Sequence, residues 1–164
     1  MRRAHREDVE HVVARLRQAD RNEVRAATGL PAELVMNGCI EVSDRAWTLE
    51  TGEGEPVALL GTQPIYDYPQ FGWVWMVATD ELVNHSYEFL RRCRSGLSEV
   101  YGDYQALTNF VDARNVVHIK WLRFMGFKFL RVIPDFGAHA LPFIEFAGIN
   151  PKCVDQPSPF LGLS

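Results

Sequence analysis

Between Phe71 and Ala78 the chain reads Phe-Gly-Trp-Val-Trp-Met-Val-Ala, with no charged side chain. A run this short, rich in aromatic and β-branched residues and following Pro69, is the pattern of a strand buried on both faces. Thr79 or Asp80 can cap the next helix, which the spacing carries to about Leu97 with Leu82, Tyr87, Phe89, Leu90, Cys93 and Leu97 inward. Ala106 to Val111 returns to strand character. Strand, helix and strand over residues 71–111 imply a parallel pair joined by a right-handed crossover.

The flanking segments extend this into one α/β unit. Arg2 to Ala4 is a short opening strand. Glu7 to Arg17 places Val9, Val12, Val13 and Leu16 on one helical stripe. Asp20 to Thr28 is a weaker helix stopped by Gly29, and a third helix from Pro31 carries Leu34 and Val35 and ends at Gly38. Ala46 to Leu49 and Val57 to Gln63 read as strands across a turn-rich connection, Thr51 to Pro56. Pro64 to Gln70 reads as a loop, because Pro64 and Pro69 cannot donate to a ladder. Ala113 to Met125 is a helix ended by Gly126, with Val116, Val117, Ile119, Lys120 and Trp121 at its centre. Phe127 to Ile133 and Leu141 to Ala147 are the closing strands. The expected fold is therefore α/β, with a mixed central sheet of about six to seven strands and helices on both faces. It occupies one domain over residues 1–147, followed by an irregular tail over 148–164.

Length and composition agree: 164 residues, 47% hydrophobic and 23% charged, suit one globular domain. A net charge of −4, with Arg2, Arg3 and Arg6 diluted by Glu7, Asp8 and Glu10, argues against a phosphate-tracking nucleic-acid surface. No stretch approaches the roughly 20 apolar residues of a membrane span, and the polar amino terminus is unlike a signal peptide, so a cytoplasmic protein is expected. Cys39, Cys93 and Cys153 are widely spaced and have no His or Cys partner at ligand spacing. Thiols are expected, and no metal site.

The most specific pattern is Asn115-x-x-His118-x-x-Trp121-Leu122-x-x-x-Gly126-Phe127, directly after the strand Leu107-Thr108-Asn109-Phe110-Val111. It resembles the last strand-helix-strand motif of the GNAT N-acyltransferase superfamily. Trp73 to Thr79, Asn109-x-Val111-Asp112-x-x-Asn115 and Trp121-Leu122 further resemble a phage branch, the internal-virion-protein family of short-tailed phages. The likeness covers roughly Trp47 to Phe146. It implies a GNAT-like fold and acetyl-CoA as acetyl donor to an amine, either a small molecule or a protein. The alternative it implies is an inactive scaffold in a phage particle, contacting a virion or host protein in the host cytoplasm. By the same resemblance, Met76, Val77, Ala78, Asn109 and Asn115 would hold the pantetheine arm between splayed strands, although Asn115 reads equally as the cap of its own helix. A backbone N–H near Val77 or Ala78 would polarise the thioester.

Two departures bear on chemistry. The glycine-rich pyrophosphate loop of active members is replaced by Ala78-Thr79-Asp80-Glu81-Leu82-Val83-Asn84-His85, and no glycine lies between Gly72 and Gly96. Asp80 and Glu81 stabilise their own helix start and compete with phosphate for its N–H groups. Leu122 stands where many members carry a tyrosine that protonates the leaving thiolate. His118, one turn earlier, is the candidate replacement, because imidazole transfers protons near neutrality. Asp67, between Tyr66 and Tyr68, is a second candidate as base or amine attractant. His85 with Glu88 or Glu81 reads as a solvated helix face.

Overall fold

The computed structural model describes residues 1–84 and 96–154. Seven strands form one mixed sheet in the order β1-β2-β3-β4-β5-β7-β6. They are β1 (Arg2–Arg3), β2 (Arg45–Glu50), β3 (Pro56–Ile65), β4 (Tyr68–Ala78), β5 (Ala106–Asp112), β6 (Lys128–Phe136) and β7 (Leu141–Ile149). Of the six neighbouring strand pairs only β4 and β5 are parallel, as a crossover connection between them allows; the other five are antiparallel.

The period-2 alternation of β4 divides its side chains between two apolar layers. Val77 joins Leu59 against α1 (Arg6–Ala14) and α3 (Ala32–Val42), where Val9, Val12, Val13 and Met36 are buried. Val74 points the other way, into a cluster with Trp47, Leu107, Val111, Leu122, Phe127 and Phe146. On that face lie α4 (Glu81–Asn84), α5 (residues 96–101) and α6 (Val116–Phe124). The remaining helices are α2 (Gln18–Thr28) and the short α7 (Pro151–Val154). Among the described residues no helix is long and apolar enough to cross a membrane.

Several local expectations are corrected. Pro64 lies in β3 and Pro69 in β4, joined by a tight hairpin; the register shifts at Pro64/Ile65, an irregularity that tolerates a missing donor. Gly38 does not end its helix, which continues to Val42, and Leu34 is exposed. The helix expected from Ala113 starts at Val116 behind Asn115, and both Val116 and Val117 are exposed. Gly126, at φ 90°, closes it as expected. β7 carries on past Ala147 to Ile149. The next residue, Asn150, is buried and donates to the carbonyls of Gly102 and Tyr104, so 148–150 are built into the domain. Cys39 and Cys153 are free thiols. Tyr87, Phe89, Leu90, Cys93, His85 and Glu88 lie outside the described residues.

Candidate active site at the fork between β4 and β5

The parallel ladder between β4 and β5 is short, pairing Phe71, Gly72 and Trp73 with Ala106, Leu107 and Thr108. Beyond it each strand follows its other neighbour. β4 stays with β3 as far as Ala78 opposite Ala58, and β5 stays with β7 as far as Asp112 opposite Phe143. The sheet therefore forks. Asn109 sits at the crotch, donating from Nδ2 to the Val74 carbonyl at 2.7 Å and accepting from the Phe110 N–H.

The far end of the fork is tied by α2 and the turn before it. Leu16 bridges Thr79, and the Arg17 N–H donates to the Ala78 carbonyl at 3.0 Å. The Ala78 N–H donates to Asp20 Oδ2 at 2.9 Å. This overturns the placement of the thioester-polarising donor. The Ala78 N–H is already taken. Thr79 N–H donates to Val57 on β3, so two-residue alternation turns the Val77 backbone toward β3 as well. Met76 is left, between the tied Val74 and Ala78, with its backbone directed into the fork.

A buried polar cluster fills the α2 side. Asp20 is four-coordinate in hydrogen bonds: Arg17 Nη2 at 2.6 Å and Nε at 3.1 Å, the Ala78 N–H, and Asn115 Nδ2 at 3.0 Å. Arg17 also lies over the Trp121 ring, 5.6 Å from its centroid. Asn115 caps α6 by accepting from the His118 N–H, while its Nδ2 is shared by Asp20 and Glu23 Oε2. Of the two readings of Asn115, the helix cap is the one seen, and its Nδ2 serves an internal cross-tie.

His118 differs from its neighbours. Its ring is buried, and Nδ1 has no hydrogen-bond partner among the described residues. Glu23 Oε1 stands 3.6 Å from Nδ1, an ion-pair distance too long for a direct hydrogen bond. Burial favours the neutral ring. The negative charges of Glu23 and Asp20 outweigh both that effect and the opposing charge of Arg17, so His118 holds its proton above the ordinary imidazole range. A buried polar atom that lacks a hydrogen-bond partner is costly, which makes His118, like the buried Thr79 hydroxyl, a group whose placement calls for a functional explanation.

These groups open onto a cavity of about 260 Å³ passing through the fork. Asp20, Glu23, His118 and Asn109 supply its polar groups, and Met76, Val77, Leu122, Phe110, Phe136 and Phe143 are among its apolar ones. Leu122 lines the same cavity. Asp67 does not take part: it is exposed in the β3–β4 hairpin, at the opposite end of β4 from Ala78. Asp20, Glu23 and Arg17 were missed in the sequence because charges on a weakly apolar helix read as solvated. The available signal was their three-residue spacing, continued by Val24 and Ala27, which puts the carboxylates on the buried stripe.

The chain matches no model of a known protein family and no curated protein. Solved structures do match in fold. A GCN5-related N-acetyltransferase from Kribbella flavida is similar over 90% of this chain and 95% of that one, with 14% identity and a TM-score of 0.67. A GNAT-family acetyltransferase from Bacillus anthracis is similar over 91% and 93%, at 11% identity and a TM-score of 0.66. A single-residue variant of a spermidine N-acetyltransferase from Vibrio cholerae is similar over 94% and 96%, at 12% identity and a TM-score of 0.64. The fold is that of the GNAT N-acetyltransferases.

Proposed function

We propose that this protein transfers an acetyl group from acetyl-CoA to an amine, with His118 as the residue that handles the proton. The observation carrying this reading is the buried His118 Nδ1, which has no hydrogen-bond partner among the described residues, stands at ion-pair distance from Glu23, and belongs to a residue lining the cavity at the fork. The fold of the neighbouring N-acetyltransferases supports it, although fold alone does not define chemistry.

The acyl end of the cofactor fits the residues present. Met76 offers an N–H and a C=O into the fork, so an amide-bearing arm can continue the ladder that stops at Trp73 and Thr108. Val74 and Ala78 are spent on Asn109, Asp20 and Arg17, which makes the grip narrower than the five residues expected from sequence. The phosphate end has no glycine cradle. Thr79, Asp80 and Glu81 lead into α4, whose described part is only four residues. Acetyl-CoA would supply an acetyl group activated as a thioester. Glu23 keeps His118 charged, and His118 delivers the proton that Leu122 cannot. Asn115 and Asp20 fix both partners in place.

The competing reading is a phage scaffold without chemistry, resting on a virion or host protein partner. Asp80 and Glu81 at the phosphate position favour it. Melting curves with and without millimolar acetyl-CoA separate the two. A ligand that binds only the folded protein raises its melting temperature by mass action, and transfer requires that rise. An unchanged melting temperature at millimolar acetyl-CoA would sink the transferase reading and leave the scaffold.

A further inference from the structure

Resting on the transferase reading above, the geometry points to the acceptor class: a small primary amine with one cationic nitrogen and an apolar, preferably aromatic, body. The charge recognition is at one end of the cavity. Asp20 has its oxygens filled by Arg17, Ala78 and Asn115, so Glu23, which faces the charged His118 ring, is the carboxylate with a hydrogen-bonding position still open. Its Oε2 accepts from Asn115, and among the described residues its Oε1 meets only His118, at 3.6 Å. An ammonium entering between Glu23 and the fork finds a charge-assisted acceptor there. It gives one proton to Glu23 and attacks the thioester carbonyl as the free amine. The departing thiolate takes the His118 proton, and the neutral imidazole removes the remaining extra proton from the new amide nitrogen.

Among the described residues the rest of the α2 side of the cavity is largely apolar, Thr28 and Cys39 excepted. Val24 and Ala27 of α2 and Val35 of α3 face the rings of Phe110, Phe136 and Phe143. Those rings form a continuous wall, with centroids 4.6 Å apart for Phe110–Phe136 and 4.7 Å for Phe136–Phe143. The wall is closed as well as apolar. The β6–β7 turn is tied to the end of α2 by Ala138 N–H to the Ala27 carbonyl and His139 N–H to the Ala26 carbonyl, each 3.1 Å. Gly137, at φ 67°, packs so tightly on Ala27 that a Cβ would lie 2.6 Å from its backbone. Among the described residues this wall offers no counter-charge, so a second cationic nitrogen would be stranded against it at a cost. Polyamines and flexible lysine side chains of peptides are therefore disfavoured.

The test uses the full chain with 2-phenylethylamine, spermidine and a lysine-containing peptide. Each is measured for binding by melting temperature without acetyl-CoA, and for acetylated product by mass spectrometry with it. 2-Phenylethylamine is expected to raise the melting temperature and to be acetylated at least about tenfold more efficiently than spermidine. Glu23→Gln is expected to weaken amine binding by about tenfold or more while leaving the acetyl-CoA shift in place. Val24→Phe fills the apolar end and is expected to abolish 2-phenylethylamine binding, which covers the case in which Glu23→Gln unfolds. Acetylation of spermidine or the peptide in preference to 2-phenylethylamine overturns the acceptor class and keeps the transferase. Binding of 2-phenylethylamine without any acetylated product upholds the class and removes the transferase. Absence of binding by 2-phenylethylamine overturns the class.

Discussion

Two Arg–Asp clusters of similar make-up lie at the starts of α1 and α2. Asp8 takes a bidentate guanidinium from Arg2 at 2.7 Å, the His5 N–H at 2.8 Å and the Thr48 hydroxyl at 2.8 Å. Asp20 likewise takes Arg17, a backbone N–H and an amide. The first cluster ends there. Its carboxyl is held far below the ordinary range by the hydrogen bonds of Arg2, and nothing in it lines the cavity. The second continues through Asn115 to Glu23 and His118, where the bonding runs out beside a cavity. A polar network whose members are all satisfied pins a fold. One that stops short at a buried ring nitrogen leaves a group that the proposed proton transfer can use.

That contrast can be broken by substitution. His118→Ala should lower acetyl transfer by roughly 10²–10⁴-fold, the usual size of a lost acid–base group. It should also lower the melting temperature, because it removes a buried ring and leaves Glu23 without its ion-pair partner. Amine-dependent product formation measures the first, and a thermal melt the second. Asp20→Ala leaves the Arg17 charge buried and should cost about 3–5 kcal/mol, read from urea unfolding. Asp8→Ala should cost about 2 kcal/mol, since Arg2 is partly solvated, and the folded fraction should keep its full transfer rate. An equal kinetic loss at Asp8 would erase the distinction between the clusters.

A pH series sharpens the comparison further. His118, faced by Glu23, Asp20 and Arg17, has its proton affinity raised on folding. Its contribution to stability is fully present below the ordinary imidazole value of about 6.5 and is lost as pH rises through the higher folded value. Asp8 behaves oppositely. Its contribution is present above the ordinary carboxylate range and is lost on acidification. The melting-temperature gap between the native chain and His118→Gln should therefore narrow on the alkaline side. A gap that widens there contradicts the pairing with Glu23. The smallest effect is expected at Asp67→Asn, which should leave both transfer and stability unchanged.

The fold was legible where the physics is local and periodic. The apolar run Phe71–Ala78, the strand before Asn115 and the Gly126-Phe127 turn each announce their conformation, and the parallel pair follows from their order. The prolines misled, because a register shift at Pro64/Ile65 absorbs the missing donor and lets both flanking strands reach the hairpin. The site was legible only in part. His118 and Asn109 do face the fork, whereas Asn115 and Ala78 are consumed by Asp20, which lies 95 and 58 residues away in the chain. Pairings over such separations leave no mark in local spacing.

The central claim is that the unfinished cluster at His118 moves protons during acetyl transfer. Release of free coenzyme A thiol from acetyl-CoA, with and without 2-phenylethylamine, tests it in the native chain and in His118→Ala. Thiol release that depends on the amine and falls at least about a hundredfold in His118→Ala is the predicted result. Equal release from both proteins, or none from either with any amine, would contradict it.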